Sequence, residues 1–202
     1  MQQLSHVCTI QSGYTVRGRL DPAEHGNVLA LQLRDIASNG SIACGNLTRM
    51  QLNPVPDKYL LCRGDVLFRS RGERTTAAVI DVSFEDPALA VLPLMILRPN
   101  PQLLSGAYLA WTINQEPAQR HFEEEAQGTS LRMVSRATLE KLQIAVPDLE
   151  TQQRILQVDA LAERERELAQ QLTLKHYQLI HRVLVERAQE HTTARGMERM
   201  PQ

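Results

Sequence analysis

Between Asp148 and Arg195 the chain has neither glycine nor proline. Nine of its ten glycines and nine of its ten prolines lie at or before Pro147. The two residues that most often end a helix are therefore missing from that whole stretch. The absence predicts one helix of about 40 residues, roughly 60 Å long at 1.5 Å per residue. Long apolar runs are also missing. No segment approaches the ~18 uninterrupted apolar residues of a membrane span, and Met1 to His6 lacks the basic start and apolar core of a secretory signal. There are only three cysteines, Cys8, Cys44 and Cys62, with no CxxC pair. That excludes a disulfide framework and predicts buried, reduced thiols in a cytoplasmic protein. Charge of one sign is lacking too: the net charge of −1 is unlike that of a self-sufficient, non-specific nucleic-acid binder.

Lysine is scarce. Only Lys58, Lys141 and Lys175 are lysine among 22 basic residues. Arginine's planar fork suits bidentate contact with phosphate, carboxylate or a guanine edge, although a GC-rich coding sequence gives the same composition. Catalytic signatures are absent. There is no GxxxxGK[ST] loop, no GxGxxG after a strand, no GxSxG elbow and no HExxH. The six histidines show no metal spacing with cysteine, and Glu123-Glu124-Glu125 fits a solvated acidic patch. The residues predict a protein without catalytic activity, metal or cofactor.

What is present before Pro147 is a turn-rich α+β pattern with short strands. Val28 to Leu33 is a predicted strand, with Asn39-Gly40 as a turn and Ser41-Ile42-Ala43 as its hairpin partner. Further strands are predicted at Val66-Leu67-Phe68, Ala77 to Val82, Ala90 to Arg98 and Gln143 to Val146. Pro93 marks a bulge, an edge or a strand start in the third of these. A helix is expected over Ser105–Asn114, a second short helix or an irregular acidic stretch over Pro117–Gln127, and a shorter helix capped by Ser135 that turns Leu139 and Leu142 inward. From Arg63 to Arg74, four arginines face two carboxylates in a glycine-bounded loop with Ser70, Thr75 and Thr76 interleaved. Such a loop at a strand end can reach phosphates and base edges together; a solvated hairpin loop fits the composition equally well.

After Pro147, Asp148 is a predicted N-cap, and Glu150 suits the positive end of the helix dipole. Ile155, Val158, Leu161, Leu168, Leu172, Leu179 and Val183 form an apolar seam at coiled-coil spacing. Glu165 and Lys175 interrupt it. A parallel zipper favours neither, whereas an antiparallel partner can set opposite charges against them. The competing reading is an amphipathic helix folded back on the body; the seam's narrowness and the helix's length favour a partner helix. The organisation expected is a body over 1–147, a long helix over 148–190 and a flexible tail over 191–202.

These segments, in order, resemble specificity (S) subunits of type I restriction–modification systems. Tyr59-x-Leu61-x-x-Gly64-Asp65-Val66-Leu67-Phe68, with Gly72 beyond, resembles the family's "GD" block, and Leu29-x-Leu31-x-x-Arg34-Asp35-Ile36 its earlier block. Tyr108-Leu109, Gly128-Thr129-Ser130 and Val134-Ser135 through Ile144-x-Val146-Pro147 match later elements. Gln152-Gln153 followed by Ile155 is similar to the "eQ-x-x-I" opening the spacer helix. The resemblance implies a target recognition domain that reads double-stranded DNA and a helix that sets spacing and docks methyltransferase (M) subunits, and through them a restriction (R) subunit. Such S subunits are non-catalytic. They carry two recognition domains and two long helices where this chain has one of each, which implies a half-subunit whose homodimer, through antiparallel helices, reads a two-part site. DNA contact is expected from Arg69, Ser70, Arg71, Arg74, Thr75 and Thr76, then from Gly128, Thr129 and Ser130, and from Arg34. A helical scaffold that binds proteins without reading DNA is the alternative, and a small metal-dependent nuclease a third option.

Overall fold

The computed structural model describes residues 1–16, 23, 25–72, 75–81, 84–125 and 133–197, excepting the side chains of residues 46 and 188–197. The fold is α+β: a mixed body of short strands and helices, then one long C-terminal helix. Contacts divide the chain into two units, Met1–Leu156 and Gln157–Gln202.

Strand alternation builds the first unit. Strands β1 (Gln2–Gln3), β2 (Cys8–Ser12), β3 (Val28–Leu31), β4 (Thr48–Met50), β5 (Val66–Arg69), β6 (Thr76–Val79), β7 (Ala88–Ala90), β8 (Leu94–Pro99) and β9 (Gln143–Ile144) form three sheets, ordered β2-β8-β5-β6, β4-β3-β7 and β1-β9. Successive side chains of a strand point to opposite faces. In the four-stranded sheet, Ile10, Val66, Phe68, Ala77 and Leu97 therefore meet the helices. Leu67, Ala78, Leu94 and Ile96, on the other face, meet Leu31, Ala88 and Ala90 of the three-stranded sheet. The far side of that second sheet holds Val28, Ala30, Met50 and Leu89 against Tyr14 and Tyr59.

Helices α1 (Leu4–Val7), α2 (Gly106–Asn114), α3 (Glu116–Glu125) and α4 (Arg136–Lys141) cover the first face. Ser105 and Ser135 cap α2 and α4, accepting from the Tyr108 and Thr138 amides. Phe68 lies tilted against Phe122 of α3, ring centroids 5.3 Å apart.

The Gly64-Asp65 pair is a structural turn. Gly64 has φ of +94°, open to glycine at little cost. The buried Asp65 carboxylate accepts from the Cys62 amide at 3.0 Å and faces Arg98, whose Nη2 donates to the Leu60 carbonyl. Helix α2 starts directly above this turn: a Cβ on Gly106 would lie 2.2 Å from the Gly64 carbonyl oxygen. Gly106→Ala is expected to destabilise the body by roughly 1–3 kcal/mol, since backbone must shift to admit the methyl. A urea unfolding midpoint unchanged by that substitution would contradict the close approach.

Several expectations need correction. Ser41–Ala43 is not the partner of the Val28 strand, which pairs antiparallel with β4 and parallel with β7. The Asp35 carboxylate accepts from the Gln32 amide at 2.7 Å and winds Leu33–Asp35 into a 3-10 turn, leaving a single bridge from Ile36 to Ile42. The Ala90–Arg98 run is two strands in different sheets, separated at Val91-Leu92-Pro93. Of the three thiols only Cys8 is buried; Cys44 and Cys62 are exposed. Burial pushes the Cys8 thiol up to about 12. Burial and nearby Asp81 also raise Cys44.

The last helix, α5 (Leu149–Met197), is 49 residues long, about 73 Å at the standard rise. Asp148 caps it, accepting from the Thr151 amide at 2.8 Å. That bond holds the Asp148 carboxyl below its usual range. In its first turns Gln152 is fully buried, and Ile155 and Leu156 pack on the body's helical core. Residues 198–202 of the expected tail lie outside the described residues.

Candidate nucleic-acid interface

Sheet topology brings two exposed arginines, Arg34 and Arg71, to one end of the body. In the antiparallel ladders Ser12 lies opposite Met95, and Arg69 opposite both Leu94 and Thr76. The exits of β2 and β5 and the entries of β6 and β8 therefore share one end. Leu31 pairs with Ala90 in parallel, so β3 and β7 exit together. The Val91–Pro93 connection joins the two ends: Gly13 donates to the Leu94 carbonyl, Tyr14 to that of Ala90, and Val91 to that of Leu31.

Leu92 stands at the tip, 44% exposed, and two hollows flank it. One, of about 450 Å³, is lined by Thr15, Val16, Gln32, Arg34 and the Val91–Pro93 turn. The other, of about 350 Å³, is lined by Ser12, Arg71, Met95, Met133 and the same turn. An arginine thus lies on either side of an exposed apolar tip. The Arg34 side chain is 68% exposed, its Nη2 donating to Thr48 Oγ1 at 2.8 Å. Arg71 is exposed, its Nε 3.2 Å from Met133 Sδ. Backbone pairing of Arg71 with Met133, and the Val134 amide on the Ser70 carbonyl at 3.0 Å, fasten the later segment beside it.

Other expected contact residues take different places. Arg69 is half-buried; its Nη1 donates to the Ile36 carbonyl and its Nε to that of Arg71, each at 3.2 Å. It braces one loop against the other. Ser70 and Thr76 require correction as surface groups, each being 2% exposed. The Ser70 hydroxyl donates inward to the Pro93 carbonyl at 2.9 Å, because alternation turns it away from the Arg69 face. Thr75 is half-buried and donates to Gln119 of α3. Arg74, Gly128, Thr129 and Ser130 lie outside the described residues. Leu92, Gln32 and Met133 were not anticipated. The proline inside an apolar run was the one available signal for the Leu92 turn. Among the described residues, no group of three or more histidines, cysteines or carboxylates could hold a metal ion. No described helix is long and apolar enough to cross a membrane.

In the second unit the expected seam is exposed: Val158 67%, Leu161 71%, Leu168 48%, Leu172 57%, Leu179 59% and Val183 46%. Ile155 requires correction, since it packs on the body's core. A second exposed apolar group went unanticipated: Leu174, Tyr177, Ile180 and Leu184.

This fold has relatives among solved structures. It is similar to an HsdS subunit from Thermoanaerobacter tengcongensis, at 20% identity and a TM-score of 0.59 over 83% of this chain and 43% of that one. It also resembles the S subunit of a type I restriction–modification system from M. genitalium, at 15% identity and a TM-score of 0.54 over 83% of this chain and 40% of that one. A third similar chain belongs to a structure addressing complex assembly and conformational transition of the type I R-M system, at 21% identity and a TM-score of 0.54 over 96% of this chain and 41% of that one. The chain thus spans about two fifths of the length of these solved chains. No protein-family model matches it, and no curated protein does.

Proposed function

We propose that the chain is a non-catalytic, sequence-specific DNA recognition subunit of a type I restriction–modification complex. The observation that carries this reading is the end of the two sheets, where Arg34 and Arg71 flank the exposed Leu92 tip on a fold shared with S subunits. Arginine forks suit guanine edges and phosphates, and an apolar side chain between them suits a thymine methyl. Fixed loops favour readout, since positioned donors discriminate where mobile ones only attract. The near-neutral net charge fits a complex whose other subunits supply much of the phosphate contact. In this reading the body is the recognition domain and the helix after Pro147 the spacer. Two copies pair through antiparallel helices to read a two-part site. M subunits, and through them an R subunit, dock on the remaining exposed helix surface, in the cytoplasm.

Methylome sequencing with and without this gene product tests the proposal. Loss of one defined, interrupted methylation motif is the expected result. An unaltered methylome would favour a helical scaffold that binds proteins through the same exposed apolar side chains.

A further inference from the structure

Charges on α5 fall into two groups. Most find partners along the helix: off the seam Arg164 bonds Glu167 at 3.0 Å and Arg166 bonds Glu163 at 2.7 Å, and Arg182, seven residues beyond Lys175, bonds Glu186 at 2.9 Å. Glu165 and Lys175 lie on the seam and form no ion pair among the described residues. None can form locally. Residues three and four away from Glu165 are Leu161, Ala162, Leu168 and Ala169; from Lys175 they are Gln171, Leu172, Gln178 and Leu179. The two charges stand about 15 Å apart along one helix, too far to pair with each other.

The seam also has an internal symmetry. Leu161 and Leu179 each lie nine residues from Gln170, Glu165 and Lys175 five, and Leu168 and Leu172 two. In an antiparallel pair, core positions meet when they are equally far, in opposite directions, from the two-fold axis. One axis level with Gln170 therefore satisfies the three central layers together, while the outer Val158 falls opposite Arg182. Leucine meets leucine, and Glu165 meets Lys175 of the second copy on both sides of the axis. Ala169 faces itself beside the axis, small enough for close approach. Arg164 meets Gln178, so flanking positions bring no like charges together. A parallel pair would instead set Glu165 against Glu165 and Lys175 against Lys175.

We infer that α5 binds a second copy of this chain as an antiparallel coiled coil centred on Gln170, with Glu165 and Lys175 as reciprocal cross-pairs that fix its register. The inference rests on the proposed pairing of two copies and specifies its geometry. A polar pair in an apolar seam costs stability but excludes other registers. A shift of one heptad breaks both Glu–Lys cross-pairs: one way it sets Lys175 against Leu172 and Glu165 against Arg182, the other way Glu165 against Leu168 and Lys175 against Val158.

Sedimentation of the full chain at micromolar concentration tests this. The wild type is expected to be a dimer. Glu165→Lys alone and Lys175→Glu alone should each weaken it by about tenfold, through like charges at both cross-pairs. The double variant E165K/K175E should return to within about threefold of wild type. Both positions are exposed, so circular dichroism should show unchanged helix content. A wild-type dimer whose single variants bind undiminished, or whose double variant is not rescued, would overturn the register while leaving dimerisation standing. A wild type that stays monomeric would overturn both the register and the two-copy assembly. DNA recognition would still stand or fall on the methylome.

Discussion

Replacing Arg34 and Arg71 together by alanine is expected to weaken site-specific DNA binding of the assembled complex by roughly 2–6 kcal/mol, at ~1–3 kcal/mol for each guanine- or base-edge contact. The substitutions should leave the fold intact. Arg34 is exposed, donates to a threonine hydroxyl that water can satisfy and lies at 3.8 Å from the Asp35 carboxylate, and among the described residues the Arg71 head meets the Met133 thioether. The two losses differ in kind if one arginine holds phosphate. That one weakens all sequences about equally and lowers the salt slope by ~1, while a base reader relaxes one position of the site. Titrating matched and mismatched duplexes at two salt concentrations separates the cases. Binding and methylation unchanged by the double substitution would remove this end of the sheets as the interface. Arg69→Ala should act differently: it removes a brace between two loops, so it should reduce stability along with affinity.

Gln152→Leu is expected to cost about 3–9 kcal/mol of folding stability. The side chain is fully buried and makes three bonds to backbone. Its Oε1 accepts from the Ser105 amide at 2.9 Å, and its Nε2 donates to the Leu103 and Pro147 carbonyls at 2.7 and 2.8 Å. Leucine fills similar volume but strands all three groups, at about 1–3 kcal/mol for each one left unsatisfied. The first two belong to the loop entering α2, the third to the segment entering α5, so one amide ties two helix starts together. Gln153→Leu, one residue on and exposed, should be close to neutral. Thermal unfolding of the pair checks both; equal midpoints would refute the role given to Gln152.

The Gln152 case shows what was legible and what was not. Its place before an apolar residue in a helix start could be read as a motif, but its three backbone partners come from segments 5 to 49 residues away. Gly64-Asp65 is similar: the motif was visible, and its task, an Arg98-braced turn beneath Gly106, was not. Between Arg63 and Thr76, composition treated Ser70, Arg71 and Thr76 alike. Strand alternation separated them, burying Ser70 and Thr76 and exposing Arg71. Arg34 looked the weakest candidate because it is distant in sequence, yet the parallel pairing of β3 with β7 carries it to the tip that also adjoins Arg71.

Local patterning was sufficient for the α+β class, the capped helices and the long C-terminal helix. Each depends on residues a few positions apart: serine and aspartate caps, period-two alternation, the absence of glycine and proline. The spacing of Leu161, Glu165, Leu168, Leu172, Lys175 and Leu179 is local in the same way, which is why the helix seam could be read before any fold was known. Which arginines reach solvent, which hydroxyls are spent on backbone and which apolar residue stands between the two hollows depended on sheet order. Those contacts join strands far apart in the chain. Hydrophobic burial on both faces of the four-stranded sheet selects one arrangement of them, and no local preference encodes it.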